Sequence, residues 1–139
     1  MAEKKPILVD IIMCDDIREE INKKLSFIGV YTHKIGVPKL PFRLCKLCFS
    51  LKFKEGLGEF KIKIVLNAPS GVVASIDFPS KIKFNQGAVV GVISVFEGLE
   101  IKEEGAYQLK VYFNEDIDPS ITFNFSITTP TNPSVIQHL

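Results

Sequence analysis

Apolar and polar positions alternate one for one over four segments of the chain. In Phe60-Lys61-Ile62-Lys63-Ile64-Val65-Leu66 the even positions form one apolar face, and the two lysines point the other way. Val72, Ala74, Ile76 and Phe78 repeat the pattern, with Ser75 and Asp77 between them. Tyr107, Leu109, Val111 and Phe113 alternate with Gln108, Lys110 and Tyr112, and Ile121, Phe123, Phe125 and Ile127 with Thr122, Asn124, Ser126 and Thr128. A period of two marks half-buried β-strands.

Three further segments, Ile7–Met13, Leu25–Thr32 and Ala88–Phe96, are apolar at both parities, which predicts central strands or strands covered on both sides. Phe42–Phe53 is long and changes parity: Phe42 and Leu44 share one face, while Leu47, Phe49, Leu51 and Phe53 share the other. A β-bulge near Cys45-Lys46 would restore a single inward face. Ile82 and Phe84, between Lys81 and Lys83, suggest a short extra strand. Asp15–Lys24 reads either as a helix, with Glu19 and Glu20 four residues before Lys23 and Lys24, or as a charged hairpin loop.

Turn signals at Gly56-Leu57-Gly58, Asn67–Gly71, Pro79-Ser80, Asn85-Gln86-Gly87 and Asp116–Ser120 separate the strands. The expectation is an all-β, antiparallel two-layer sandwich of roughly seven to nine strands, immunoglobulin-like or similar. It occupies residues 6–128, between loose tails at 1–5 and 129–139. Tyr107 opens a strand just after the Gly105 turn, where immunoglobulin-like sandwiches place a tyrosine whose hydroxyl bonds the backbone at a corner.

Composition changes this picture little. With 139 residues the chain suits one domain, and 46% hydrophobic against 24% charged residues excludes a disordered chain. The net charge of +1 steers it to neither nucleic acid nor membrane. No apolar run approaches a membrane span, and Asp10, Asp15 and Asp16 spoil the N-terminal run as a signal peptide. Three cysteines give no disulfide framework, so a cytoplasmic location with reduced thiols is expected.

The stretch Cys14-Asp15-Asp16-Ile17-Arg18-Glu19-Glu20, followed by Lys24-Leu25-Ser26-Phe27-Ile28-Gly29-Val30, resembles an uncharacterised bacterial family of small proteins, a domain of unknown function. Members open with a hydrophobic strand, a Cys-Asp-Asp-(Ile/Val)-Arg-x-Glu segment and a Lys-Leu-Ser-apolar-Ile-Gly-apolar strand. The resemblance extends over roughly residues 7–128, a single-domain length. It implies a β-sandwich and brings no activity or functional residue.

Four sets of residues carry candidate chemistry. Cys45-Lys46-Leu47-Cys48 is a Cys-x-x-Cys, and Cys14 and His33 would complete a zinc site. On a regular strand, however, residues three apart face opposite ways, and buried apolar cysteines explain the motif better. Cys14 or His33 would have to serve any nucleophilic chemistry; His138 lies in the tail, and no nucleophile elbow occurs. Asp15 and Asp16, together with Glu115, Asp116 and Asp118, would bind Ca²⁺ if their loops met at one end of the sandwich. Turn initiation and local ion pairs explain the same residues.

The fourth set is basic. From Arg43 to Lys83 eight basic residues face three acids, and from Glu97 to Asp118 seven acids face two lysines. Lys61, Lys63, Lys81 and Lys83 would form a polyanion-binding or partner face if their strands were neighbours. Lysine protection of sheet edges is the plainer reading. Docking of the basic face on the acidic end of a second copy is a third.

The residues thus point to a non-enzymatic interaction or structural module without a cofactor. Its partner is another protein or a second copy, with neither membrane nor nucleic acid expected. A Ca²⁺- or ligand-binding sandwich is the alternative, and weak polyanion binding a further one.

Overall fold

Alternation puts every second side chain of a strand on one face, and burying that face requires a second layer. The computed structural model, which describes residues 2–130, supplies it with eleven strands. In chain order these are β1 (Ile7–Glu19), β2 (Leu25–Tyr31), β3 (Lys34–Gly36), β4 (Phe42–Lys54), β5 (Gly58–Phe60), β6 (Ile62–Ala68), β7 (Gly71–Asp77), β8 (Ile82–Phe84), β9 (Val90–Ile101), β10 (Gly105–Phe113) and β11 (Ile121–Thr128). One sheet has the order β2-β1-β4-β9, the other β3-β11-β10-β6-β7, and β5 and β8 form a small pair. The protein is an all-β sandwich with immunoglobulin-like strand order.

The count exceeds nine because three strands are only three residues long, and of these only β8 carries its own sequence signal. One pairing departs from the antiparallel expectation: β3 runs parallel to β11. The Asp15–Lys24 segment is not an ordinary helix. Asp15 to Glu19 continue β1, and Ile21–Lys23 form a single 3-10 turn in which Asn22 and Lys23 have positive φ. This is the charged hairpin loop. The N-terminal tail is also held, since Lys4 exchanges two backbone hydrogen bonds with Leu57 and Lys5 pairs with Asp116. At the other end, Thr129 donates to the Glu104 carboxylate, and the rest of the expected tail, 131–139 with His138, lies outside the described residues.

Phenylalanines join the layers. Phe49 of β4 packs its ring against Phe123 and Phe125 of the opposing sheet at centroid distances of 6.3 and 5.9 Å. Phe53 reaches Phe113 in the same way at 5.7 Å. Edge-to-face and tilted geometries dominate, as the ring quadrupoles favour.

The parity change in β4 is real, but it is not a one-sided bulge. Leu44 and Leu47 both point inward, and so do Phe96 and Leu99 on β9. The register from Phe42↔Ile101 to Phe53↔Val90 does not slip. Both strands carry the extra residue, and Gly98, at φ +64°, lets β9 make the matching kink beside Arg43.

Tyr107 makes the corner bond, its hydroxyl donating to the Glu103 carbonyl at 2.7 Å. Burial, and secondarily the Glu103 charge, raises its phenol above the ordinary value of 10.0.

Two stability outcomes follow. Phe49→Ala should cost about 3–5 kcal/mol in urea unfolding, because it empties the contact between the sheets. Tyr107→Phe should cost about 1–2 kcal/mol. The raised phenol contributes stability that is complete below pH 10.0 and is lost as pH rises past it, so unfolding midpoints followed into alkali should decline less steeply in Tyr107→Phe.

Candidate interaction face

Because Met13, Leu47 and Phe49 point into the sandwich, their neighbours Cys14, Cys48 and Ser50 point out. The pairing registers then lay out the outer face of the four-stranded sheet in rows. One row is Val30–Cys14–Cys48–Val95, and the next is Ile12–Ser50–Ile93. Val30 is 59% exposed, Val95 38% and Ile93 36%. Charged rows frame this band. Asp16, Lys46 and Glu97 lie on one side, with the apolar Ile28 ending their row on β2, and Asp10 and Lys52 lie on the other.

At Cys14↔Cys48 the sheet forks. Beyond that pair β1 continues with β2 as far as Glu19↔Leu25, and β4 continues with β9 as far as Phe42↔Ile101. Side chains bridge the two arms. Lys46 Nζ donates to Asp16 Oδ1 at 3.1 Å, and Arg18 Nε lies 3.4 Å from Asp16 Oδ2. The hydrogen bond from Lys46 leads in holding the Asp16 carboxyl below its usual range, and Asp16 raises Lys46 in turn. Tyr31 donates to Asp15, whose carboxylate lies over Gly29; a Cβ there would stand 2.2 Å from Asp15 Oδ2. Burial, and then this bond, pushes the Tyr31 phenol well up.

Both thiols fill the crotch of the fork with no exposure. Cys14 Sγ donates to the Asp16 carbonyl at 3.4 Å, and Cys48 Sγ to the Asp15 carbonyl at 3.8 Å. Burial is the main cause that raises both thiols, so they are protonated at neutral pH and weakly nucleophilic. Cys45 is exposed, so the Cys-x-x-Cys does not present two sulfurs to one ligand. His33 is exposed in the turn between β2 and β3 and bonds Ser126 through its backbone carbonyl.

The acidic candidates do not meet. Asp116 pairs with Lys5, just before β1 begins, whereas Asp15 and Asp16 lie ten or more residues further along the same extended chain, roughly 30 Å away. Asp118 belongs to the Asp116 loop. Among the described residues no group of three or more His, Cys, Asp or Glu side chains converges on a metal position.

The lysines are also separated. β8 pairs with β5, not with β6, so Lys83 stands opposite Glu59. Lys61 lies 3.7 Å from Glu115, and Lys63 is opposite Asp77. Lys81 precedes β8 on the small sheet. Lys63 and Lys110 line a shallow groove of about 420 Å³ whose far end holds Glu115 and Asp116, so no uncompensated basic stripe forms.

Sequence reasoning missed the apolar outer face. Its signal was present, since Leu25–Thr32 and Ala88–Phe96 are apolar at both parities. That pattern predicts central strands, yet β2 and β9 are the two edges of their sheet.

The fold and this face define an immunoglobulin-like sandwich with four exposed apolar side chains on the outer face of one sheet. The chain belongs to the family of unknown function DUF6941, whose pattern it matches over residues 10–126. No curated protein matches it. Among the described residues no helix is long and apolar enough to cross a membrane.

Thiol titration checks this geometry. The folded protein should react rapidly at Cys45 alone, and Cys14 and Cys48 should react only on unfolding. Rapid native labelling of Cys14 or Cys48 would contradict the closed fork.

Proposed function

We propose that this protein is a non-enzymatic interaction module whose working surface is the outer face of the β2-β1-β4-β9 sheet. One observation carries the reading. Ile28, Val30, Ile93 and Val95 are all exposed apolar side chains, and all project from that single face. Exposed apolar side chains gathered on one face and flanked by charge are a usual mark of a protein-binding site. The ion pair of Asp16 with Lys46 and Arg18 supplies a polar rim.

The groups on and around the face support a binding role over a catalytic one. Its two thiols are protonated and closed in, and the nearest histidine candidate, His33, sits on the turn after β2 rather than on the face. The partner this surface fits is a protein with a flat apolar patch of similar width.

Affinity capture from the source cells tests the reading. Proteins retained by the wild type should be lost with Val30→Lys, which places a charge on the face at a side chain that is already exposed. They should be kept with Lys63→Glu on the opposite sheet. Equal capture by all three chains would overturn the assignment of the face.

A further inference from the structure

The edge strands of this sandwich are not equally protected. β3 is three residues long, β2 is interrupted by Gly29 at φ +66°, and the pairing of β7 slips at Leu66/Asn67. Short strands, bulges, lysines and prolines are the devices that stop an edge from recruiting another strand. β9 lacks them over Val90–Phe96. Those residues pair with β4 in an unbroken register, include no proline and no charge, and bond to no other strand among the described residues.

Beside this edge lies an unsatisfied polar group. Ser94 Oγ on β9 is buried, with the residue only 1% exposed, and it has no hydrogen-bond partner among the described residues. A buried hydroxyl left unpaired loses its hydration without compensation and is destabilising.

We propose that a second copy of this chain pairs with β9, antiparallel about a twofold axis at Ser94. This goes beyond the reading of the outer face, since it concerns the edge of the same sheet. A twofold axis perpendicular to a continuous sheet keeps outward residues opposite outward ones, so the axis must pass through a residue. With Ser94 on the axis, Ile93 faces Val95 and Val92 faces Phe96 of the second copy, apolar against apolar on both sheet faces. Glu97 then faces Gly91, and Glu100 faces Ala88, so no acid meets an acid.

Neighbouring registers are worse. An axis at Val95 sets Ile93 against Glu97, one at Phe96 sets Val95 against Glu97, and one at Glu97 sets the two acids together. An axis at Ile93 sets Val92 against Ser94 and Val89 against Glu97. Only the Ser94 axis also places the orphan hydroxyls opposite each other, where one donates and the other accepts. The same register carries the Val30–Cys14–Cys48–Val95 row into Ile93, Ser50 and Ile12 of the second copy, so that one row runs across seven strands.

Sedimentation equilibrium and cross-linking test the proposal. The wild type should sediment as a reversible dimer. Val95→Lys should weaken the dimer by about tenfold or more, while the melting temperature extrapolated to infinite dilution stays unchanged. Val30→Lys, on the far edge strand, should leave the dimer intact, which separates this claim from the binding role of the whole face. In a Cys45→Ser background, which removes the exposed native thiol, Ser94→Cys should give a disulfide-linked dimer on mild oxidation. A wild type that stays monomeric throughout the accessible concentration range overturns the proposal, even if Val30→Lys abolishes capture of other proteins. A dimer that survives Val95→Lys and yields no disulfide cross-link in the Ser94→Cys variant also overturns it.

Discussion

The insertion of Phe49 between the two sheets sets the faces of everything around it. Once this ring on β4 is committed inward against Phe123 and Phe125, the period of two turns Cys48 and Ser50 outward. The registers pass that choice to both neighbours. Cys48 aligns Cys14 on β1 and Val95 on β9, and Ser50 aligns Ile12 and Ile93. A one-residue slip would exchange the inner and outer sets, which is why an apolar outer face still leaves the register well defined. The phenylalanines facing inward are much larger than the cysteines, serine and valines facing outward, so size as well as polarity selects the face.

How much was legible in the residues follows from the same asymmetry. β6, β7, β10 and β11 alternate apolar with polar, because their outer face is solvated by Lys63, Lys110, Asn124 and their neighbours. Their face could be read directly. So could the Tyr107 corner, which depends on a local bond to Glu103. β2 and β9 were legible as strands, but their place at the edges was not. An apolar residue at an outward position looks the same in sequence whether a second layer, a partner or water covers it. The kink at Cys45 was visible as a parity break, but its partner at Gly98 was not, since matching them needs the β4–β9 pairing.

The candidate site was half legible. The segment Cys14–Glu19, which carries the family resemblance, does build the fork, and its acids do make ion pairs. Sequence could not say whether Asp15 and Asp16 meet Asp116 and Asp118. Adjacency in space depends on strand length, and β1 carries the two groups apart along its thirteen residues. The lysine stripe dissolved for a related reason. Lys61 and Lys63 sit with β6, while Lys83 belongs to a separate two-stranded sheet where Glu59 opposes it. These charges are compensated locally, whereas Ile28 and Val30 on β2 and Ile93 and Val95 on β9 are left exposed on one sheet face.

That sheet ends on β9, whose outer edge bonds to no other strand among the described residues. Alternate amides of Val90–Phe96 point away from β4 and bond no other strand among the described residues. Hydrogen–deuterium exchange of β9 at low and high protein concentration is the most direct measurement. Paired edges predict that protection of these amides rises with concentration, while β10 amides, buried between β6 and β11, do not change. Protection of β9 that is the same at every concentration would contradict the account.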